Sequence, residues 1–273
     1  MMAILNKILS IAEGWFFSRC LRKNIFFASD QARCYLIGLG PSLKKVKLDK
    51  LGQGDIFFVN AALSDDRLIK LKHRAAFWII WDDVVETFTK SKLRRLKHFS
   101  DIVDDNTSMV FPSRGRYRIQ KYGLFNKNKK IYLREMSFRS ELAGCGSSLE
   151  SNAIIARPDN SIEIAIILAV KMKYSEIVLV GCDSDFFNYD EPIYKRSYSS
   201  VILEEDPIIE SGDLPFDMSS REAKLCWSCK VYRKYRYLNE LAQSRGIKII
   251  DATIDGKLDM FEKKPITEYY DPI

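Results

Sequence analysis

The chain has 273 residues, 47% of them hydrophobic, enough to bury one substantial core or one core with a small accessory subdomain. A net charge of +7 and a pI near 9.0 suit an anionic partner: a nucleotide, an acidic glycan, a phospholipid surface or nucleic acid. Basic residues are interleaved with acids and no recognition motif occurs, which argues against nucleic acid. No stretch approaches about 18 uninterrupted apolar residues, which argues against a membrane span.

Residues 1–30 carry Ile4, Leu5, Ile8, Leu9 and Ile11 at near-helical spacing, then Trp15, Phe16 and Phe17, then Arg19, Arg22 and Lys23. This predicts an N-terminal helical extension, packed on the domain's edge or resting peripherally on an anionic membrane. From 31 to 262, strand-length apolar runs alternate with helical patterns. The fold expected is α/β and Rossmann-like, a mainly parallel sheet with helices on both faces and a lid-like loop region. Strands are predicted at Cys34–Ile37, Asp55–Asn60, Ala75–Trp81, Ser108–Phe111, Lys130–Leu133, Glu176–Val180 and Ile247–Ile250. Helices are predicted at about 63–72, 84–99, from Asn160-Ser161 to Lys173, and 221–244. Residues 113–129 read as a loop, about 186–220 as a lid without periodicity, and 263–273 as an irregular tail.

The chemistry-bearing residues stand at strand ends. Gly38-Leu39-Gly40-Pro41-Ser42 follows the first strand, where backbone amides approach a phosphate or the chain simply turns. The third glycine of a dinucleotide fingerprint is missing, which argues against an NAD site. Asn60 closes the second strand and Asp82 the third, positions suited to a base or ribose, or to a turn and a helix cap. Asp183 and Asp185 follow the best strand, as base, sugar-hydroxyl acceptor, D-x-D magnesium pair or turn formers. Ser161 opens a helix, able to cap it or meet an anion. Tyr189, Tyr194 and Tyr198 in the lid could donate to a departing phosphate. Cys226 and Cys229 form a lone CxxC. With only His73 and His98 in the chain this makes no tetrahedral metal set, and the six cysteines read as reduced thiols of a cytoplasmic protein.

In order and spacing these segments resemble bacterial sialyltransferases of glycosyltransferase family 42. They also resemble the wider motility-accessory-factor and 6-hydroxymethylpterin-diphosphokinase-like group. Gly38-x-Gly40-Pro41-Ser42-Leu43 is similar to the family's G-N-G-P-S-L loop. Asn160-Ser161 with Lys173 to Asp183 resembles its T-S-G … G-Y-K-E-I-Y-L-S-G-I-D segment, and Gly246 to Thr253 with Gly256-Lys257-Leu258 resembles the wider group's closing strand and tail. The likeness spans residues 34–262.

The resemblance implies a CMP-activated acidic sugar, Kdo-like or sialic-acid-like, passed by direct displacement to a glycan or glycolipid acceptor in lipopolysaccharide or capsule synthesis, with no cofactor required. It implies that Gly38, Gly40 and Ser42 cradle the nucleotide, that Asn60 meets the cytidine or ribose, and that Asn160 and Ser161 meet the sugar carboxylate. Tyr189 and Tyr194 then match the phosphate-binding tyrosines. Leu39 replaces the loop asparagine, and no histidine stands where the family has its base, so the acceptor's proton falls to a carboxylate. A magnesium-dependent diphosphokinase-like phosphotransferase using Asp82, Asp183 and Asp185, or a non-catalytic nucleotide- or glycan-binding module, are the alternatives.

Overall fold

Five-residue runs such as Glu-Ile-Val-Leu-Val, buried at four consecutive positions, have no polar face to turn to water, and such runs belong inside a sheet covered on both sides. The computed structural model describes residues 30–81, 89–136, 145–146, 148–149, 154–184 and 221–272. Its strands are β1 (Arg33–Ile37), β2 (Asp55–Val59), β3 (Ala75–Ile79), β4 (Ser108–Pro112), β5 (Lys130–Met136), β6 (Ile154–Ala156), β7 (Glu176–Val180), β8 (Lys248–Asp251) and β9 (Glu262–Lys263). All nine join one sheet, every pairing parallel, in the order β6-β5-β4-β3-β2-β1-β7-β8-β9. The fold is therefore α/β and Rossmann-like, as the alternation predicts.

Among the described residues the helices are α1 (Asp66–Ile69), α2 (Lys90–Ile102), α3 (Arg116–Lys121), α4 (Ser161–Lys171) and α5 (Arg221–Gln243). They cover both faces. Along β1, Cys34 and Leu36 pack into one core cluster with α4 and α5, while Tyr35 and Ile37 pack into the other with α2 and α3. The order β1 to β6 runs steadily one way, and only the return through α4 to β7 reverses it. The point of reversal lies between β1 and β7, which is where open α/β sheets form a crevice at their carboxyl edge.

Several boundaries differ from the sequence reading, each for a local reason. The helix expected over 63–72 shrinks to the single turn α1. There Asp65 caps the Arg67 N–H at 3.0 Å, and the Arg67 side chain turns back to the Leu43 carbonyl at 3.1 Å. The helix expected at 84–99 starts at Lys90, capped by Thr89, whose hydroxyl accepts from the Lys92 N–H at 3.2 Å. The loop expected at 113–129 contains α3, held by one buried residue of its own, Ile119.

The tail is not irregular throughout. β9 pairs with β8, Leu51 bridges Tyr270, and Tyr269 is buried edge-on against Tyr35 with ring centroids 6.4 Å apart. The N-terminal extension of residues 1–29 and the lid of 186–220 lie outside the described residues. Among the described residues no helix is long and apolar enough to cross a membrane.

Candidate functional site

The loops after β1 and β7 cross in direct contact at the reversal point. The Gly38 N–H donates to the Val180 carbonyl at 2.8 Å and the Gly40 N–H to the Gly181 carbonyl at 2.9 Å. Glycine is required for this approach. A Cβ at position 38 would stand 2.8 Å from the Gly181 carbonyl carbon, and one at position 40 only 2.6 Å from the Asp183 carboxyl carbon. Gly181 itself takes a left-handed φ of +68° to turn the chain out of β7.

Ser42, almost fully buried, makes the second link. Its N–H donates to Asp183 Oδ1 at 3.1 Å and its hydroxyl to Oδ2 at 2.8 Å, across 141 residues. The donors expected to cradle a phosphate thus have partners within the chain. The amides of Gly38 and Gly40 are engaged by the β7 loop, and both donors of Ser42 hold the chain's own carboxylate. The glycines serve close packing of two loops, and Asp183 is the anion that the loop binds. A phosphate would reach these Ser42 donors by displacing Asp183.

The tail supports the same loop. Thr253 Oγ1 accepts from the Cys182 N–H at 3.0 Å, and Asp251 in turn accepts from the Thr253 N–H at 2.9 Å and pairs with Lys263. The Lys257 N–H reaches the Asp183 carbonyl at 3.3 Å. The closing segment Gly246 to Leu258 thus supports the β7 loop, a role that no local sequence pattern signals. Cys182 is buried, and burial, with Asp251 and Asp183 nearby, pushes its thiol well up, away from thiolate chemistry.

The second group lies at the carboxyl end of β2. Asn60 adopts a left-handed φ of 43°, which asparagine tolerates, and this turns its side chain toward α4. Its Oδ1 accepts from the Ser161 hydroxyl at 3.1 Å and from the Trp81 N–H at 3.0 Å. Asn60 and Ser161, 101 residues apart, are therefore neighbours. Asn160 caps α4, its Oδ1 accepting from the Glu163 N–H at 3.0 Å and from the Tyr235 hydroxyl of α5 at 2.9 Å. Full burial pushes the Tyr235 phenol well up, so it remains a donor.

Sequence reasoning missed a chain of polar contacts along this edge. Trp81 Nε1 donates to Glu135 at 2.9 Å, and Glu135 also accepts from Arg114 at 2.7 Å. Ser161, Asn60, Trp81, Glu135 and Arg114 thus link α4 to the start of α3. The one available signal was position, since Trp81 sits immediately before Asp82 at the end of the third strand. Tyr232 was missed as well; its hydroxyl holds the Ser184 carbonyl at 2.7 Å. Asp82, Asp185, Tyr189 and Tyr194 lie outside the described residues.

Asn160→Ala is expected to destabilise the protein by about 1–2 kcal/mol, because it removes both the α4 cap and the acceptor of the buried Tyr235 hydroxyl. Urea unfolding measures this, and a change within error would show that the cap is dispensable.

Comparison with models of known families, with curated proteins and with solved structures returned no match.

Proposed function

We propose that this protein is a glycosyltransferase that moves an acidic sugar, Kdo-like or sialic-acid-like, from a CMP-activated donor to a glycan acceptor. The observation that carries the reading is the Asn60–Ser161 contact. Two polar residues singled out independently meet at 3.1 Å on the carboxyl edge, where Rossmann-like sheets bind nucleotides. The Gly38-x-Gly40-Pro41-Ser42 loop and the Gly181-Cys182-Asp183 turn flank the adjacent reversal point, and their resemblance to the sialyltransferase loops supplies the donor class.

In this reading the side-chain NH2 of Asn60, and the hydroxyl of Ser161 once it leaves Asn60 Oδ1, hold the donor, with Asn160 fixing the start of α4. An acceptor hydroxyl oxygen attacks the anomeric carbon, the bond to the phosphate oxygen breaks, and CMP leaves with the electron pair. The acceptor's proton passes to a carboxylate. Asp183 is the described candidate, and it would act as base once freed from the Ser42 hydroxyl.

A thermal-shift panel of CMP, CDP, UDP, GDP, ADP and NAD, with and without Mg²⁺, tests this. A ligand at a hundred times its Kd stabilises the native state by about 2.7 kcal/mol. Selective stabilisation by CMP or CDP with EDTA present, followed by turnover of CMP-Kdo or CMP-sialic acid, is the expected result. Ser161→Ala should reduce that nucleotide-induced shift, while the ligand-free protein loses only the one hydrogen bond to Asn60, about 1 kcal/mol. Stabilisation only by a purine or uridine nucleotide with Mg²⁺ would overturn the reading and favour a phosphotransferase.

A further inference from the structure

Charge is distributed unevenly in this molecule. The described segment 89–136 carries thirteen Lys and Arg against four Asp and Glu, a net of +9, more than the +7 of the entire chain. Its helices α2 and α3 flank β4 on one face of the sheet. Their buried residues Leu96, Phe99 and Ile119 share a single core cluster, and the Phe125 N–H just after α3 donates to Ser100 Oγ of α2 at 2.6 Å. With those sides turned inward, the opposite sides carry the cations.

Lys90, Arg94 and Lys97 are all exposed, and a spacing of four and three residues places them in one stripe of α2. Arg116, Lys121 and Lys127 are exposed in and after α3. Tyrosines stand among them. Tyr117 is 70% exposed and Tyr122 38%, two of the three large hydrophobic residues exposed among the described residues. The Lys121 ammonium lies 5.9 Å from the centre of one ring and 5.7 Å from the other.

We propose that the outer side of α2 and α3 is a docking surface for an anionic phospholipid bilayer. Cations on the outer sides of neighbouring helices meet a negatively charged plane without needing a cleft, and tyrosine rings settle at headgroup level with the hydroxyl toward water. Duplex readers present one helix to a groove, whereas here the cations are spread over the outer sides of two neighbouring helices; single strands call for a groove lined by stacking platforms.

Co-sedimentation with vesicles of phosphatidylcholine alone, and of phosphatidylcholine with phosphatidylglycerol, tests the proposal on the full chain. The expected result is binding to the mixed vesicles only, weakening as salt rises. The triple variant Arg94→Gln, Lys97→Gln, Lys121→Gln should lose about fivefold in affinity per cation, roughly a hundredfold in all. Tyr117→Ala should weaken binding further, and melting curves should match the parent, since all four side chains are exposed. Equal binding to both vesicle types, no binding to either, or parent-like affinity in the triple variant would each overturn the proposal. So would tighter binding of an RNA oligonucleotide at equal phosphate concentration.

Discussion

Replacing Lys234 by methionine is expected to lower stability by about 3–5 kcal/mol above neutral pH, because it leaves two carboxylates without their counter-charge. Lys234 of α5 is 2% exposed; its ammonium lies 2.7 Å from Asp159 and 3.3 Å from Glu163, and donates to the Arg157 carbonyl at 2.9 Å. Glu163 is fully buried, and burial, acting against the pull of Lys234, raises its carboxyl to about 7. Its folded-state value therefore lies above its unfolded one. As pH rises from about 4.5 toward 7, the unfolded chain gives up this proton while the folded chain keeps it. Glu163 therefore makes stability fall with rising pH across that window and has no further effect above it.

In Lys234→Met the deficit should be smallest at acid pH, where Glu163 is neutral, and full above neutrality. Glu163→Gln should remove the pH dependence that this residue contributes. Urea unfolding of the three proteins at a series of pH values gives the answer. A loss under about 1 kcal/mol at every pH, typical of an exposed pair, would show that the network is not buried in solution.

Gly38→Ala is expected to cost about 3 kcal/mol, at the upper end of the usual range for overpacking. The added Cβ would meet the Gly181 carbonyl and Cys182 Sγ, the latter at 2.9 Å, and the carbonyl is backbone that no rotamer change can move. Relief requires the β1 and β7 loops to separate, which breaks the hydrogen bonds that the Gly38 and Gly40 N–H groups donate between them. Gly246→Ala is the control. Its φ of +72° is left-handed, which that of Gly38 is not, and a Cβ there meets nothing within 4 Å, so backbone strain alone should cost about 1–2 kcal/mol. Chemical denaturation of both variants would show the difference, and an equal loss in the two would mean the loops can part freely. If the crevice at this crossing binds CMP, Gly38→Ala should lose nucleotide stabilisation while Gly246→Ala keeps it.

The strands around the crevice were legible because each is a compact apolar run ending in a turn signal: Ile37 before Gly38, Val59 before Asn60, Val180 before Gly181. The helix α4 was equally clear, being almost wholly apolar behind an asparagine cap. β6 escaped notice because three residues are too few for a period to show, and only pairing with β5 defines it. α3 was missed because cations surround its single buried position, leaving no apolar stripe to count.

The order and spacing of apolar runs therefore determined the α/β class, the positions of most strands and the strand ends where polar residues gather. Local periodicity carries that information, since it depends on neighbours a few residues apart. Only the tertiary structure decided what those residues face. It joined Asn60 to Ser161, turned Asp183 onto Ser42 where an external anion had been expected, and buried Lys234 between Asp159 and Glu163. The first two contacts join residues more than a hundred positions apart. The Ser42–Asp183 contact arises from the reversal of strand order between β1 and β7, the Asn60–Ser161 contact from the packing of α4 on the sheet, and the Lys234 network from the packing of α5 over α4, to all of which local spacing is blind.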